Sequence, residues 1–320
     1  MSLPTTLSAS LNVAVQMDAW STVNVQADST FALMLEAQNR GHSLFHYLPT
    51  ALTYDRGEIL AYGTQARLRR DQDHMADLGP ETLANVKDFD VILMRQDPPF
   101  DMQYIAATHL LEQVMDEVLV VNNPVEVRNA PEKLLVTQFA DFMPPTMISR
   151  DAAAIRAFRK THPDTIIKPL FGNGGVGVFH LKPEDENLSA LLETFFATSR
   201  EPLMIQAYAP EIRQGDKRII LVDGKPVGAM NRLPAQGEAR ANLHVGGRAE
   251  AVELTTRDQE VCEALGPLLK ERGLLFTGID MIGPYLTEIN VTSPTGLQEI
   301  SRFNGVNLPA QIWDAIEAKA

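Results

Sequence analysis

Strand patterns alternate with helix patterns over roughly the first 125 residues of this chain, and this alternation restricts the fold more than any other feature. Short apolar runs typical of strands occupy Leu11–Met17, Val91–Met94 and Leu119–Val121. One helical pattern runs from Ser29, which we expect to cap its start, to Gly41, which ends it, and a second covers Asp101–Val114. This alternation predicts a small parallel α/β unit, which we place at residues 1–125.

Hairpin patterns replace the alternation from about residue 130 onward. Each of three pairs of apolar runs flanks a turn signal, and the pairs are 166–170 with 176–179, 219–222 with 226–230, and 277–282 with 286–291. The turn of the second pair is Asp223-Gly224, and that of the third is Gly283-Pro284. Hairpins with separate helices predict antiparallel sheets over residues 126–320. The fold class that follows is α/β plus α+β.

The charge balance excludes several classes of partner. The 320 residues carry 28 basic and 41 acidic side chains, a formal net charge of −13. Such a chain repels phosphate backbones and anionic lipid surfaces, so we expect neither nucleic acid nor a membrane as a partner. Residues 1–17 lack the features of a secretory signal, no apolar stretch approaches a bilayer span, and the single Cys262 cannot form an internal disulfide. These features predict a cytoplasmic protein.

A glycine-rich segment follows the first of the hairpin strands. Lys168 is followed by glycines at positions 172, 174, 175 and 177. Successive glycine N–H groups can converge on an anion without obstruction by Cβ atoms, and the lysine adds a positive charge. The segment is therefore predicted to grip phosphate as a flexible flap. It is not a P-loop, because it lies between two strand patterns rather than before a helix. The alternative is a hairpin loop whose glycines serve only the turn.

Three oxygen-bearing side chains lie in the last hairpin, at Asp280, Glu288 and Asn290. Glu288 and Asn290 are two residues apart and therefore share a face of their strand. An ideal two-residue turn pairs Asp280 with Thr287 and turns it to the other face, whereas a bulge or an odd-length connection brings the three together. An all-oxygen ligand set of this kind suits Mg²⁺. The alternative is the polar outer face of a hairpin.

Four arginines occur in loop-rich sequence, at Arg218, Arg232, Arg240 and Arg248. Asn242 lies among them. Guanidinium groups match carboxylates and phosphates with two parallel hydrogen bonds. In an acidic chain this local concentration predicts an anion clamp, and solvated loop charge is the alternative.

Together these segments resemble the ATP-grasp superfamily, and within it the bacterial glutathione synthetases, over essentially the whole chain. The stretches that carry the resemblance are 28–32, 91–101, 132–134, 167–170, 215–218, 222–224 and 286–295. The resemblance implies a small N-terminal parallel-sheet domain followed by an ATP-grasp domain at 126–320. That second domain would comprise a lid subdomain at about 130–205 and a C-terminal subdomain at about 206–320, both α+β.

The resemblance also implies a role for each candidate residue. ATP would be bound by two lysines at its phosphates, a glycine-rich lid, backbone groups at its adenine and a carboxylate at its ribose. These residues are Lys133, Lys168, Gly172, Asn173, Gly174, Gly175, Gly177, Gln206, Ala207, Tyr208 and Asp216. The ligands of Mg²⁺, or of Mn²⁺, would be Asp280, Glu288 and Asn290. The residues around the other substrates would be Arg95, Arg218, Arg232, Arg240, Asn290, Ser293 and Thr295. Three of these would also be catalytic: Arg218, Arg232 and Arg240.

The activity that the resemblance implies is the ligation of γ-glutamylcysteine to glycine. The γ-phosphoryl group of ATP would pass to the C-terminal carboxylate of the dipeptide, and the glycine amine would then displace phosphate from the acyl phosphate. Two other functions stay open, a related carboxylate–amine ligase that adds glutamate and a nucleotide-binding module without catalysis. The resemblance further suggests a homotetramer.

Overall fold

The computed structural model describes residues 10–238, 240–242 and 246–320. The first nine residues, which bear on the expectation that a secretory signal is absent, lie outside the described residues. Among the helices that are described, none has the length and apolarity needed to cross a bilayer.

The first sheet is built around the three predicted apolar strands. Its members are β1 (Asn12–Gln16), β2 (Ser43–Asp55), β3 (Glu58–Leu68), β4 (Ala76–Asn85), β5 (Val91–Met94) and β6 (Leu119–Val121). The spatial order is β4-β3-β2-β1-β5-β6, with β2, β1, β5 and β6 parallel. The predicted parallel unit is therefore present, and the antiparallel strands β3 and β4 extend it. The sequence patterns did not assign β2, β3 or β4, which mix buried and exposed positions and lack a continuous apolar run.

Helices α1 (Ser29–Asn39) and α2 (Met102–Glu112) cover this sheet where the sequence placed them. The predicted cap of α1 is wrong by one residue. The Asp28 carboxylate accepts the hydrogen bond of Phe31 N at 2.6 Å, so Asp28 is the N-cap. The Ser29 hydroxyl instead accepts a hydrogen bond from Leu297 N at 3.2 Å, which ties α1 to the C-terminal part of the chain. Gly41, at a φ of 88°, follows the end of the helix as expected.

The second sheet has the order β7-β10-β8-β9 and is antiparallel at every pairing. Its strands are β7 (Thr146–Ser149), β8 (Thr165–Pro169), β9 (Phe179–Leu181) and β10 (Leu203–Ala207). The preceding short helices are α3 (Pro124–Asn129) and α4 (Glu132–Leu135), and the helices that pack on the sheet are α5 (Ala152–Thr161) and α6 (Leu188–Thr198). Ile155, Ile167, Leu192 and Ile205 belong to a hydrophobic cluster of this sheet alone, so the layer has its own core.

The third sheet has the order β13-β12-β11-β14-β15 and is also antiparallel. Its strands are β11 (Asp216–Val222), β12 (Lys225–Leu233), β13 (Arg248–Ala251), β14 (Phe276–Ile282) and β15 (Tyr285–Asn290). The helices of this part are α7 (Thr256–Glu271), α8 (Leu297–Asn304) and α9 (Leu308–Glu317). The predicted hairpin turns at Asp223-Gly224 and Gly283-Pro284 are confirmed, because each connects two paired strands.

The first and third sheets share their hydrophobic cores. Val15 and Phe31 of the first part cluster with Phe276 and Trp313 of the last part. Short 3-10 helices complete the described elements at Trp20–Thr22, Val86–Asp88, Val136–Phe142 and Pro210–Gln214. The predicted division of the chain at residues 125 and 126 and the subdomain limits near 130 and 205 stay predictions.

Candidate active site

A β-bulge in the β14–β15 hairpin decides whether its oxygen ligands can meet. Met281 pairs with Leu286 near the turn, but the next pair is Asp280 with Glu288, so Thr287 is the extra residue. The bulge places the Asp280 and Glu288 side chains on one face, and pairing continues to Asn290 opposite Gly278. Of the two arrangements that the sequence left open, the structure has the one in which the three side chains converge.

Two arginines hold the Asp280 carboxylate. Arg218 lies opposite Asp280 in the β11–β14 pairing, and its Nε and Nη2 donate to the two carboxylate oxygens at 2.5 and 3.0 Å. Arg232 Nη2 lies 3.1 Å from Asp280 Oδ2 and donates to Asp216 Oδ2 at 2.6 Å. Burial favours the neutral acid, but Arg218 and Arg232 outweigh it and hold the pKa of Asp280 far below its usual range.

Two lysines hold the Glu288 carboxylate. Lys133 of α4 and Lys168 of β8 each place Nζ 3.4 Å from Glu288 Oε1, and both lysines are buried. Lys133 also donates to the carbonyl of Gly172 at 2.6 Å. Burial lowers the pKa of Lys168, whereas at Lys133 the Glu288 and Glu132 carboxylates overcome burial and raise the pKa. Two ammonium groups that share one carboxylate form a cationic site suited to a polyanion.

The predicted flap, residues 172–177, connects β8 to β9. Gly174, Gly175 and Gly177 have positive φ values, which explains these three of the four glycines in the segment. The flap contacts a second loop, because Arg240 Nη1 donates to the Gly175 carbonyl at 3.1 Å. A Cβ atom on Gly175 would lie 2.8 Å from Asn242 Oδ1. The two loops therefore fit together closely at this glycine.

A pocket lies under the flap, which we call the flap pocket. Its walls include both lysines, Asp216, residues 206–208 at the end of β10, and Gly172, Gly174 and Gly175 of the flap. Gly177, which the sequence placed at the nucleotide, is not among the lining residues. The N–H groups of Ala207 and Tyr208 already donate to Pro145 O at 2.9 Å and to Asp164 O at 3.0 Å. Any ligand that binds to this backbone must therefore contact other backbone groups, such as carbonyl oxygens. The Gln206 side chain also has a partner within the protein, because its amide donates to Thr146.

Electrostatics inside the flap pocket also affect Asp216. Burial, together with the nearby Asp280 carboxylate, raises the pKa of Asp216 to about 6, even though Arg232 acts in the opposite direction. Its Oδ1 has no hydrogen-bond partner within the described residues. Asp216 therefore has an oxygen available for a hydroxyl donor.

A second cavity, the inter-sheet cleft, meets the flap pocket at the β14–β15 hairpin. Its walls come from both the first and the third part of the chain and include these sequence candidates: Arg95, Arg218, Arg232, Asn290, Ser293 and Thr295. Asp280, Glu288, Asn173, Gly174 and Asn242 line both cavities. A group bound in one cavity and a group bound in the other therefore meet at the two carboxylates.

Arg95 connects β5 to the segment that follows β15. Its Nη2 donates to Pro294 O at 3.0 Å and its Nε to Thr30 Oγ1 at 3.1 Å, while Ser293 Oγ donates to Arg95 O at 3.3 Å. Arg95 is 5% exposed, and its Nη1 has no hydrogen-bond partner among the described atoms. Arg95 thus positions Ser293 and Pro294 in the cleft wall and retains one free donor.

The structure separates the four arginines that the sequence grouped. Arg218 and Arg232 lie together at Asp280, whereas Arg240 lies on the second loop, contacts the flap and lines the flap pocket only. The Arg248 side chain is 78% exposed, so for this residue the alternative of solvated charge is correct.

Sequence reasoning did not assign a role to Glu132. This residue begins α4, lines the inter-sheet cleft and accepts a hydrogen bond from Thr292 Oγ1 at 3.2 Å. Burial, reinforced by the negative charge of Glu288, raises the pKa of Glu132 to about 7. The only sequence signal was its position directly before Lys133.

The donor set at the hairpin fits a divalent cation that is bound together with a nucleotide. Within the described residues no group of three or more His, Cys, Asp or Glu side chains could hold a metal alone. The hairpin instead offers two carboxylates and one amide oxygen, and Mg²⁺ is commonly held by one or two carboxylates with substrate phosphates and waters. The chemistry of the residues present therefore agrees with a magnesium–nucleotide site.

Solved structures of other proteins superimpose on this chain over nearly its whole length. D-cycloserine synthetase DcsG superimposes with a TM-score of 0.68 at 15% identity, covering 96% of this chain and 99% of that one. The RimK domain protein ATP-grasp from Sphaerobacter thermophilus superimposes with a TM-score of 0.63 at 14% identity, covering 95% and 98%. At such identities the likeness shows the fold. This chain therefore has the fold of these two proteins.

The sequence comparisons are more specific. Residues 11–128 match the N-terminal domain model of prokaryotic glutathione synthetase, and residues 132–305 match its ATP-grasp domain model. The glutathione synthetase of Agrobacterium fabrum is 55% identical over 96% of this chain and 97% of its own length, and that of Mesorhizobium japonicum is 52% identical over 97% and 99%. This chain belongs to the prokaryotic glutathione synthetase family. It is an ATP-dependent carboxylate–amine ligase of glutathione synthesis, as the sequence resemblance predicted.

Proposed function

We propose that the site joins γ-glutamylcysteine to glycine through an acyl phosphate and releases ADP and phosphate. The observation that carries this proposal is the meeting of the two cavities at Asp280 and Glu288. A phosphoryl donor under the flap and a carboxylate in the inter-sheet cleft would face each other there. Phosphoryl transfer depends mainly on such positioning and on stabilisation of negative charge.

The flap pocket is the proposed ATP site. Lys133 and Lys168 would bind the phosphates, since both amines converge on one point, and the flap glycines with Asn173 would close over them. Asp216 would accept a ribose hydroxyl through its free oxygen. The adenine would lie against residues 206–208, where carbonyl oxygens rather than the occupied N–H groups of Ala207 and Tyr208 would contact it.

Asp280, Glu288 and Asn290 are the proposed ligands of Mg²⁺, or of Mn²⁺. When bound, the cation would neutralise negative charge that develops on the transferred phosphoryl group. In this role Asp280 benefits from Arg218 and Arg232, because they keep its carboxylate ionised. Glu288 would exchange its two lysine partners for the cation when the triphosphate takes the lysines.

The inter-sheet cleft is the proposed site of the dipeptide. Arg218 and Arg232 lie next to the reacting region and would stabilise the negative charge of the carboxylate and of the acyl phosphate. Arg95, Asn290, Ser293 and Thr295 would orient the rest of the donor, since Arg95 Nη1 and Asn290 Nδ2 are buried donors without a partner among the described atoms. The predicted contact of Arg240 with the dipeptide or glycine stays a prediction, because Arg240 lines the flap pocket and not the inter-sheet cleft.

The flap also protects the intermediate. An acyl phosphate is hydrolysed by water, so the site must close before it forms. The hydrogen bond from Arg240 to the Gly175 carbonyl supports a role of the second loop in securing the flap. A segment of glycines with positive φ values suits a hinge of this kind.

Product analysis tests the proposal. The purified chain should convert γ-glutamylcysteine, glycine and ATP with Mg²⁺ into glutathione, ADP and phosphate, and ADP should form in proportion to glutathione. A panel of acceptor amines that includes glutamate separates this activity from glutamate addition. If the complete mixture forms no more ADP than a control mixture that lacks the dipeptide, the proposal is wrong.

We also propose that the chain acts as a homotetramer in the cytoplasm. The family resemblance supports the tetramer, and the single cysteine, which fits a reducing compartment, supports the location. Light scattering of the purified protein tests the tetramer, and fractionation of cells that express the chain tests the location.

A further inference from the structure

The carboxylates around the reaction centre differ in whether they form ion pairs with cations of the protein. Asp280 is paired with two arginines, Glu288 with two lysines and Asp216 with Arg232. Each of these charges is therefore balanced by cations of the protein itself. A buried carboxylate without such a partner is costly and calls for a cation from elsewhere.

Glu132 lacks this balance beside Glu288. Asp28 and Asp97 also line the inter-sheet cleft and form no ion pair among the described residues, but the main charge that acts on Asp97 is Arg95 rather than a residue of the hairpin. Within the described residues Glu132 forms no ion pair, and its one hydrogen-bond donor is the neutral hydroxyl of Thr292 at 3.2 Å. Thr292 follows the hairpin ligand Asn290 by two residues, so the bond holds the carboxylate beside the hairpin. Glu132 also lines the inter-sheet cleft, which contains the proposed acyl donor.

The charged groups that face Glu132 come from three elements. They are Glu288 on β15, Lys133 on α4 and Arg218 on β11, and the two cations act on Glu132 without lying within ion-pair distance. With burial, the sum of these effects raises the pKa of Glu132 to about 7. A carboxyl group in that range can accept and release a proton near neutral pH.

The second half of the reaction, in which the amine attacks the acyl phosphate, needs a group that can accept a proton near neutral pH. An amino-acid acceptor arrives at neutral pH as an ammonium ion, which has no lone pair for attack. Formation of the amide requires the nitrogen to lose two protons. One proton can leave with the phosphate, and the other needs a base in the cleft.

We propose that Glu132 binds the ammonium group of the acceptor amino acid and takes one of its protons as the nitrogen attacks the acyl phosphate. The new C–N bond forms as the C–O bond to phosphate breaks, and the phosphate leaves with the second proton. This inference rests on the proposed function and deepens it. It assigns to Glu132 the acceptor half of the reaction and no part in phosphoryl transfer.

A neutral acceptor separates the two halves. Hydroxylamine is uncharged at neutral pH and traps acyl phosphates as hydroxamates, so its reaction does not need Glu132. For Glu132→Gln we expect glutathione formation to fall about 10²–10⁴-fold, the usual contribution of a general base. Hydroxamate formation and the accompanying ADP release should stay within about threefold of the unaltered chain, which also shows that the variant is folded.

Two further variants serve as controls. Thr292→Val keeps the carboxylate but removes the one hydrogen-bond donor that the described part of the chain gives it, so the glycine reaction should fall less than in Glu132→Gln. Glu126→Gln makes the same chemical change in α3, where Glu126 lies 3.7 Å from Arg272 Nε, and should leave both reactions unchanged.

The pH profile gives a second readout. With Glu132→Gln the glycine rate should rise steadily with pH, because only the free amine reacts, whereas the unaltered chain should reach a plateau near pH 7. Equal loss of both reactions in Glu132→Gln, or retention of the glycine reaction, overturns the inference. If the unaltered chain releases no ADP with either acceptor, the proposed function itself fails.

Discussion

Glu288 is the residue whose replacement tests the site most directly, because it balances two buried ammonium groups. Its Oε1 lies 3.4 Å from both Lys133 Nζ and Lys168 Nζ. At that separation and an effective dielectric constant of about 20, each pair attracts by about 5 kcal/mol before desolvation. Removing one partner of a buried ion pair typically costs about 3–5 kcal/mol. We expect Glu288→Gln to lower the free energy of unfolding by about that amount in the absence of nucleotide.

The same geometry predicts that Glu288→Gln has opposite effects on nucleotide binding and on turnover. In the resting protein the Glu288 carboxylate occupies the two lysines that the triphosphate needs. Without divalent metal, Glu288→Gln should therefore bind ATP at least as tightly as the unaltered chain. With Mg²⁺, loss of a cation ligand should lower kcat by about 10²–10³-fold, or about 2.7–4 kcal/mol of transition-state stabilisation.

Three measurements check this reasoning: urea unfolding, calorimetric titration of ATP in EDTA, and ADP release with Mg²⁺. Glu126→Gln is the matched control and should match the unaltered chain in all three. Weaker ATP binding by Glu288→Gln in EDTA would refute the competition between carboxylate and triphosphate. Equal losses of ATP affinity and turnover would favour a binding module without catalysis.

Other predictions concern the flap and the pH dependence of stability. Gly175→Ala should raise the KM for ATP more than Gly174→Ala does. Both glycines have positive φ, but of the two only Gly175 would place a Cβ within 3.0 Å of another residue. Equal KM values for the two variants would contradict this. Arg240→Ala should release more ADP than glutathione, since a loosened flap admits water to the acyl phosphate, and a product ratio of one would oppose it. The depressed pKa of Asp280 adds stability that is present above about pH 4 and is lost as acid protonates the folded carboxylate. Arg232→Met should move that loss to higher pH in urea unfolding between pH 6 and 3, and an unchanged profile would count against the ion pair.

Short-range signals account for what sequence reasoning predicted well. The turns at Asp223-Gly224 and Gly283-Pro284 depend on two residues each, and the β5 strand at Val91–Met94 on four consecutive apolar ones. Long-range partners account for the errors. Ser29 was predicted as a helix cap, but its hydroxyl accepts from Leu297 N across 268 positions, a contact that no local pattern records.

The sequence by itself determined which chemical groups this protein has and where the chain turns: the lysines, the flap glycines and the oxygen ligands of the last hairpin. Tertiary structure alone decided which of them meet. A single extra residue at Thr287 reverses the side of the strand on which Glu288 lies relative to Asp280, because side chains alternate along a strand. Likewise, the lack of an ion pair at Glu132 within the described residues depends on the positions of α4, β11 and β15 in space, since charge balance is a property of distances and not of sequence order.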